Sequence, residues 1–197
     1  MRAEEFYQQF FQLSDPVELQ QLMEITELQH LRKGELVCRE GERRSKVTFL
    51  LHGLLRGYFL DANGRDITDC FAFQCGAPAM ACLALGEPSS ITIEAIAESD
   101  VLNLPIQAVL DLLEQRPEHY RVYSGFLLKA LRTHWEVKTI MYQYPALQRY
   151  QWFLRAYPGL SEQVSGKHIA SFLGMTQVTL SRLRRTLREE QQEQKDE

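Results

Sequence analysis

Long apolar runs are missing from this chain of 197 residues. No stretch approaches the roughly 18 hydrophobic residues that a membrane-crossing helix needs, and the start, Met1-Arg2-Ala3-Glu4-Glu5-Phe6, lacks the basic-then-apolar order of a secretion signal. A cytoplasmic protein with no membrane partner is therefore expected. Cysteine is scarce. Cys38, Cys70, Cys75 and Cys82 are spaced 32, 5 and 7 apart, which excludes a CxxC redox pair and paired zinc knuckles and leaves buried thiols as the expectation. No Gly-x-Ser-x-Gly elbow, P-loop or glycine-rich dinucleotide turn occurs, so the common hydrolase, nucleotide-hydrolysing and dehydrogenase chemistries have no motif to rest on.

What is present is an ordinary globular composition, 45% hydrophobic, 24% charged and 10% aromatic. The formal net charge of −4 argues against a nucleic-acid binder until it is divided along the chain. Residues 1–148 hold 14 Lys/Arg against 20 Asp/Glu, residues 149–188 hold 7 against 1, and residues 189–197 hold 1 against 5. A basic segment flanked by acidic ones is the footprint of one small module that meets phosphate. A merely solvated cationic face would carry the same charge.

The first thirty residues read as short helices. Phe6, Phe10, Leu13 and then Val17, Leu19, Leu22, Met23 recur near helical spacing, with Ser14-Asp15-Pro16 as a break and helix start. From Leu31 to about Pro105 short apolar runs alternate with turn residues. Val47–Leu51, Leu54–Leu60, Ile67–Phe73, Ile91–Ala97 and Val101–Leu104 fit strands, and Asn63-Gly64 fits a hairpin turn. A β-barrel or jelly roll follows. A cupin-like metal enzyme on such a roll would need clustered histidines near a carboxylate; the roll holds only His52, so neither a metal nor any cofactor is expected and the chain does not read as an enzyme.

One long helix is expected from Pro117 to Tyr144. Tyr123, Phe126, Ala130, Thr133, Val137, Ile140 and Tyr144 recur at spacings of 3 and 4, and Tyr120, Leu127, Leu131, His134 and Met141 mark a second stripe. Packing against its own domain needs one stripe, so the other is free to pair with a symmetry mate in a coiled-coil-like seam; Tyr123, Phe126, Ala130, Val137 and Ile140 are the candidate seam of a homodimer. The alternative is a wide buried face in a monomer.

After an apolar helix, Leu147–Tyr157, and a Pro158-Gly159 stop, the most specific pattern begins at Ser165. A short helix turns Ile169, Ala170 and Leu173 inward and stops at Gly174; a second restarts with Thr176 as N-cap and Leu180, Leu183 and Leu187 as its apolar face. This is helix-turn-helix grammar. The other face of the second helix offers Gln177, Val178, Ser181 and Arg182 as base-reading candidates, and Lys167, His168, Thr176, Thr179, Arg185 and Arg188 as phosphate contacts on double-stranded DNA. The fold class is α+β, with a β-roll and N-terminal helices over residues 1–116, the long helix over 117–144, and the helix-turn-helix domain with an acidic tail over 145–197.

This order of parts resembles the Crp/Fnr family of bacterial transcription regulators, whose sensor domain is a cyclic-nucleotide-binding roll. The residues that carry it are Gly34, Glu40-Gly41, Phe49-Leu50-Leu51-His52-Gly53 and Arg56-Gly57-Tyr58 in the roll, then Ile169-Ala170-Ser171-Phe172-Leu173-Gly174 and Thr179-Leu180-Ser181-Arg182. The resemblance implies a dimer that senses a signal in the roll and sets the spacing of two recognition helices on an inverted-repeat operator, with RNA polymerase as a candidate further partner. Two departures stand out. Aligned on Ser89-Ser90-Ile91-Thr92, the family's ribose-binding Gly-Glu falls at Pro78-Ala79 and its phosphate-binding Arg at Ser89, so both charged anchors are missing and control by cyclic nucleotides is not expected. The segment holding Phe71, Phe73, Ala79, Met80, Cys82, Leu83, Ser89 and Ser90, the candidate effector pocket, is mostly apolar; it could hold an unknown small-molecule effector or be filled by its own side chains. In the recognition helix, Gln177-Val178 stands where many cyclic-AMP-type relatives have Arg-Glu, so the operator should differ. The iron–sulfur members carry an N-terminal cysteine group, and none precedes Cys38; exposed cysteines in the roll could still sense oxidants.

Overall fold

Asp15 starts the second helix as its position before Pro16 implies. Its Oδ1 accepts the Val17 N–H at 2.9 Å and Pro16 occupies the first turn, where no backbone donor is needed. The structure is a computed structural model that describes residues 1–81, 84–115 and 119–196. In chain order it runs α1 (Ala3–Phe10), α2 (Pro16–Ile25), β1 (Glu27–Leu31), β2 (Leu36–Cys38), β3 (Lys46–His52), β4 (Leu55–Leu60), β5 (Asp66–Ala72), β6 (Thr92–Ala95), β7 (Ser99–Pro105), α3 (Ile106–Gln115), α4 (His119–Gln143), α5 (Ala146–Ala156), α6 (Leu160–Gln163), α7 (Gly166–Phe172) and α8 (Gln177–Asp196). The fold is α and β mixed, with antiparallel sheets in a jelly-roll-like arrangement and helices at the C-terminal end.

One sheet has the order β1-β7-β3 and the other β2-β6-β4-β5. Alternation along β3 explains the layers. Leu50 joins Leu31 and Val101 of its own sheet and Leu55, Ile93 and Ala95 of the other in the core between them, while Phe49 and Leu51 point the opposite way. On that outer face Phe49, Leu51, Leu102 and Leu104 pack under Phe6, Tyr7, Leu19 and Leu22 of the N-terminal helices. Each such buried side chain contributes about 1.5–3 kcal/mol, which is why β3 and β7 are apolar on both faces.

The chain divides into two compact units, Met1–Phe59 with Asp69–Ala130, and Leu60–Thr68 with Leu131–Glu197. The tip of the β4–β5 hairpin thus groups with the C-terminal helices. In that second unit Trp152, Phe153, Tyr157 and Phe172 form an aromatic core, with ring centroids between 5.2 and 6.3 Å apart.

β1, β2, α3 and α6 are not among the elements that the sequence reading names. β1 begins at Glu27, inside the stretch expected to be helical, because it is held by main-chain pairing with β7 from Glu27↔Asn103 to Leu31↔Ser99; only Leu31 is buried, so no apolar alternation marks it. Helix α3 was not anticipated, although Ile106, Val109 and Leu113 are at helical spacing, because it follows β7 without a break at Pro105. The short α6 was likewise unmarked. The start expected for the long helix, Pro117, lies outside the described residues; α4 is helical from His119 to Gln143.

Candidate nucleic-acid interface

Ser165 opens α7 by accepting the His168 N–H on its hydroxyl at 3.3 Å, and Ile169, Ala170 and Leu173 are then buried. The helix closes in a Schellman turn. Gly174 N–H donates to the Ser171 carbonyl at 3.1 Å and Met175 N–H to the Ala170 carbonyl at 2.9 Å, with Gly174 at φ +59°, which a residue carrying a Cβ adopts only under strain. Thr176 then starts α8, its Oγ1 accepting the Thr179 N–H at 3.1 Å. Leu180 is 1% exposed and holds α8 on the rest of the unit.

With Leu180 inward, Gln177, Val178, Ser181 and Arg182 share the exposed face of α8, where Val178 is 61% exposed. Thr176, Arg185 and Arg188 are also exposed, and Thr179 and His168 are half-buried. Arg185 pairs with Glu189 at 2.7 Å. Lys167 is exposed but engaged with Asp66 at 3.2 Å, and the same hairpin tip receives the Ser171 hydroxyl, which bonds the Thr68 N–H at 2.9 Å and the Asp66 carbonyl at 3.2 Å. Arg184 takes a structural position instead. Its Nε donates to the Tyr150 hydroxyl at 3.1 Å and its guanidinium lies over that ring.

The candidate effector residues among those described differ in burial, and Ala79 and Met80 line one apolar cavity. Phe71 and Ala79 are buried, Phe73 and Met80 are half-buried, Ser90 is exposed, and Cys82 and Leu83 lie outside the described residues. At the expected phosphate position Ser89 is 3% exposed, donates its hydroxyl to the Ile91 carbonyl at 2.6 Å, and has its own N–H and carbonyl engaged by Glu42 and Gly41. Nearby, a Cβ on Gly57 would sit 2.6 Å from Cys70 Sγ and 2.7 Å from Ile91 Cδ1, so the roll is packed tightly there. Burial, and then the charge of Asp69, push the Cys70 thiol up to about 12. Cys38 is buried and Cys70 half-buried, but Cys75 is exposed, against the expectation of buried thiols.

The residues of the expected dimer seam have different surroundings within the single chain. Phe126 is packed within its own unit, its ring centroid 5.9 Å from that of Phe11 and 5.7 Å from that of Phe49, and Tyr123 lines an apolar cavity beside them. Ala130, Val137 and Ile140 are half-buried. The open apolar stripe of α4 is instead Tyr120, Leu128, Leu131, Trp135 and Tyr142, all exposed, and no residue of α4 is fully buried. Both stripes follow helical spacing, the open one at steps of 8, 3, 4 and 7, so spacing alone could not say which one faces inward.

No helix among the described residues is long and apolar enough to cross a membrane, and no group of three or more His, Cys, Asp or Glu side chains among them could hold a metal ion. Residues 28–116 match the cyclic nucleotide-binding domain family. No curated protein sequence matches the chain. Among solved structures it is similar to FixK2 from Bradyrhizobium japonicum, with a TM-score of 0.77 and 20% identity over 84% of this chain and 86% of that one. It is also similar to a transcriptional regulator of the Crp/Fnr family from Eubacterium rectale, with a TM-score of 0.73 and 17% identity over 94% and 88% of the two chains. The c-di-GMP-responsive global regulator CLP of Xanthomonas campestris follows, with a TM-score of 0.70 and 12% identity over 89% and 93%. Residues 28–116 therefore resemble the cyclic nucleotide-binding domain family, in a chain whose fold is similar to that of the Crp/Fnr-type regulators.

Proposed function

We propose that this chain is a transcriptional regulator that binds an inverted-repeat DNA operator as a homodimer, without control by cyclic nucleotides and without enzymatic activity. The observation that carries the reading is the exposed face of α8, where Gln177, Val178, Ser181 and Arg182 stand together above the buried Leu180. That set matches base edges. An arginine pairs bidentately with guanine, a glutamine with adenine, and an apolar side chain touches the thymine methyl. Lys167, His168, Thr176, Thr179, Arg185 and Arg188 surround it as phosphate contacts, and release of counterions from those phosphates gives a steep salt dependence. The second copy is supplied through α4, whose uncovered stripe of Tyr120, Leu128, Leu131, Trp135 and Tyr142 repeats as a coiled-coil seam does. Residues 1–116 act as the sensor, 117–144 as the connecting helix and 145–197 as the DNA-binding part.

A cyclic nucleotide lacks its partners here. Ala79 and Ser89 are uncharged, and a phosphate buried without a cation beside it is costly by several kcal/mol. Calorimetric titration with cyclic AMP and cyclic GMP is expected to give no heat of binding, and micromolar affinity for either would overturn this part. Selection of bound sequences from a random duplex pool, with and without cell extract, tests the whole. An enriched inverted repeat is expected, while no enrichment together with a DNA affinity insensitive to salt would sink the proposal.

A further inference from the structure

The basic stretch over residues 149–188 carries 7 Lys/Arg against 1 acidic residue, and all but one of these cations have an evident setting. Arg155, Arg182 and Arg188 are exposed to solvent. Lys167 pairs with Asp66, Arg185 with Glu189, and Arg184 donates to the Tyr150 hydroxyl and, at 3.5 Å, to the Ser161 carbonyl. Arg149, near the start of α5, is the exception. It is half-buried, its Nε is buried with no hydrogen-bond partner among the described residues, and its Nη1 meets only the thioether of Met141, at 3.9 Å. Sulfur is a weak acceptor, and a guanidinium has five donors in a rigid fork. Holding such a group partly out of water without an oxygen to receive it costs stability, so a fold retains it where it has another use.

The surroundings of the guanidinium define that use. Its Nη1 lies 3.4 Å from the point where a Cβ on Gly174 would sit, and Gly174 is itself exposed, in the left-handed turn that joins α7 to α8. The turn residue thus has no side chain to screen the group. Two residues on, Thr176 and Gln177 open α8, whose first backbone N–H groups carry the positive end of the helix dipole. Helices α5, α7 and α8 all begin without an acidic residue in the first turn, so none of these helix starts brings a carboxylate to compete for Arg149. A planar fork with free donors beside such a turn fits a phosphodiester, which offers two oxygens to one guanidinium.

We propose that Arg149 receives a phosphate of the DNA backbone beside the α7–α8 turn, a contact that positions α8 without reading bases. It rests on the DNA-binding reading and adds to it a residue outside the two helices of the helix-turn-helix. The test is fluorescence anisotropy with the full chain over a series of salt concentrations, on a labelled duplex carrying the selected inverted repeat and on a scrambled duplex of equal length. Arg149→Met is expected to weaken both duplexes by a similar factor, about tenfold for each copy of the chain bound, and to lower the slope of log affinity against log salt by about one per copy, the counterions released at one phosphate. Arg149→Lys keeps the charge and should keep most of the slope. Because Nε has no partner among the described residues, Arg149→Met should melt no lower than the parent. A guanidinium that served only to hold α5 would instead give a lower melting temperature with an unchanged slope, and that result would overturn the contact. If Arg149→Met fails to fold, Arg149→Gln takes its place in the same series. A steep salt slope in the parent that persists unchanged in the variant would remove Arg149 from the interface and leave the DNA-binding reading standing, whereas a parent chain that binds neither duplex would overturn both.

Discussion

Arg182 and Arg188 are on one helix, both exposed, yet they are expected to do different work. Arg182→Ala should cost roughly 1–3 kcal/mol on the selected operator and relax the choice of base at one position per half-site, whereas Arg188→Ala should weaken every sequence alike and flatten the salt slope. Competition binding on operator and scrambled duplexes separates them; equal loss on both for Arg182→Ala would make it a phosphate contact. His30 gives a second residue-scale expectation. Its hydrogen bonds to Asp100 and then Glu98, each 2.8 Å, raise its pKa above the ordinary 6.5. A raised histidine contributes stability that is present below the unfolded pKa and lost as pH rises through the folded one. An NMR titration should therefore place its midpoint above 6.5, and His30→Asn should reduce the loss of stability on going to higher pH. Among the thiols, Cys75 should react with a disulfide reagent at neutral pH in the native Cys82→Ser background, while Cys70, pushed to about 12, should react only on unfolding.

At the scale of elements, α4 and the turn before α8 make the sharpest claims. Leu131→Glu with Trp135→Glu places charges on the open stripe of α4 and should yield a folded monomer by light scattering, because the two side chains are exposed and support no core of their own chain. Phe126→Glu should instead destabilise the first unit, since it buries a carboxylate among Phe11 and Phe49. If the α4 pair stayed dimeric, the seam would lie elsewhere. Gly174→Ala forces a Cβ into a left-handed turn and to within 2.4 Å of the Met141 methyl, which can swing aside; the remaining backbone strain, about 1–2 kcal/mol, should appear as a lower melting temperature with the helices retained in circular dichroism.

For the whole molecule, the proposed homodimer would set the operator by its two-fold symmetry. Two copies of α8 related by a seam along α4 should enter successive major grooves about 34 Å apart, so shifting the half-sites by half a helical turn should abolish high-affinity binding while leaving salt-sensitive non-specific binding in place. The monomeric α4 variant should behave alike on intact and half operators. A footprint that tolerated the half-turn shift would argue for independent copies on DNA.

The parts that the sequence by itself determined are those written in local chemistry. Ser165, Gly174, Thr176 and Leu180 fall where a cap, a left-handed turn, a second cap and a buried leucine are needed, and each reads through neighbours a few residues away. That Ala79 and Ser89, which the resemblance aligns with the family's charged anchors, are uncharged is equally legible in the sequence. What only the tertiary structure decided depends on partners distant in the chain. β1 is a strand because β7 pairs with it, some seventy residues on. Two stripes of α4 have the same period, and only the N-terminal aromatic cluster, through Phe11 and Phe49, chose Phe126 for the inside. The apolar cavity bounded by Tyr7, Phe49 and Phe126 carries no motif at all, since it arises where α1, β3 and α4 meet, and no spacing along the chain records that meeting.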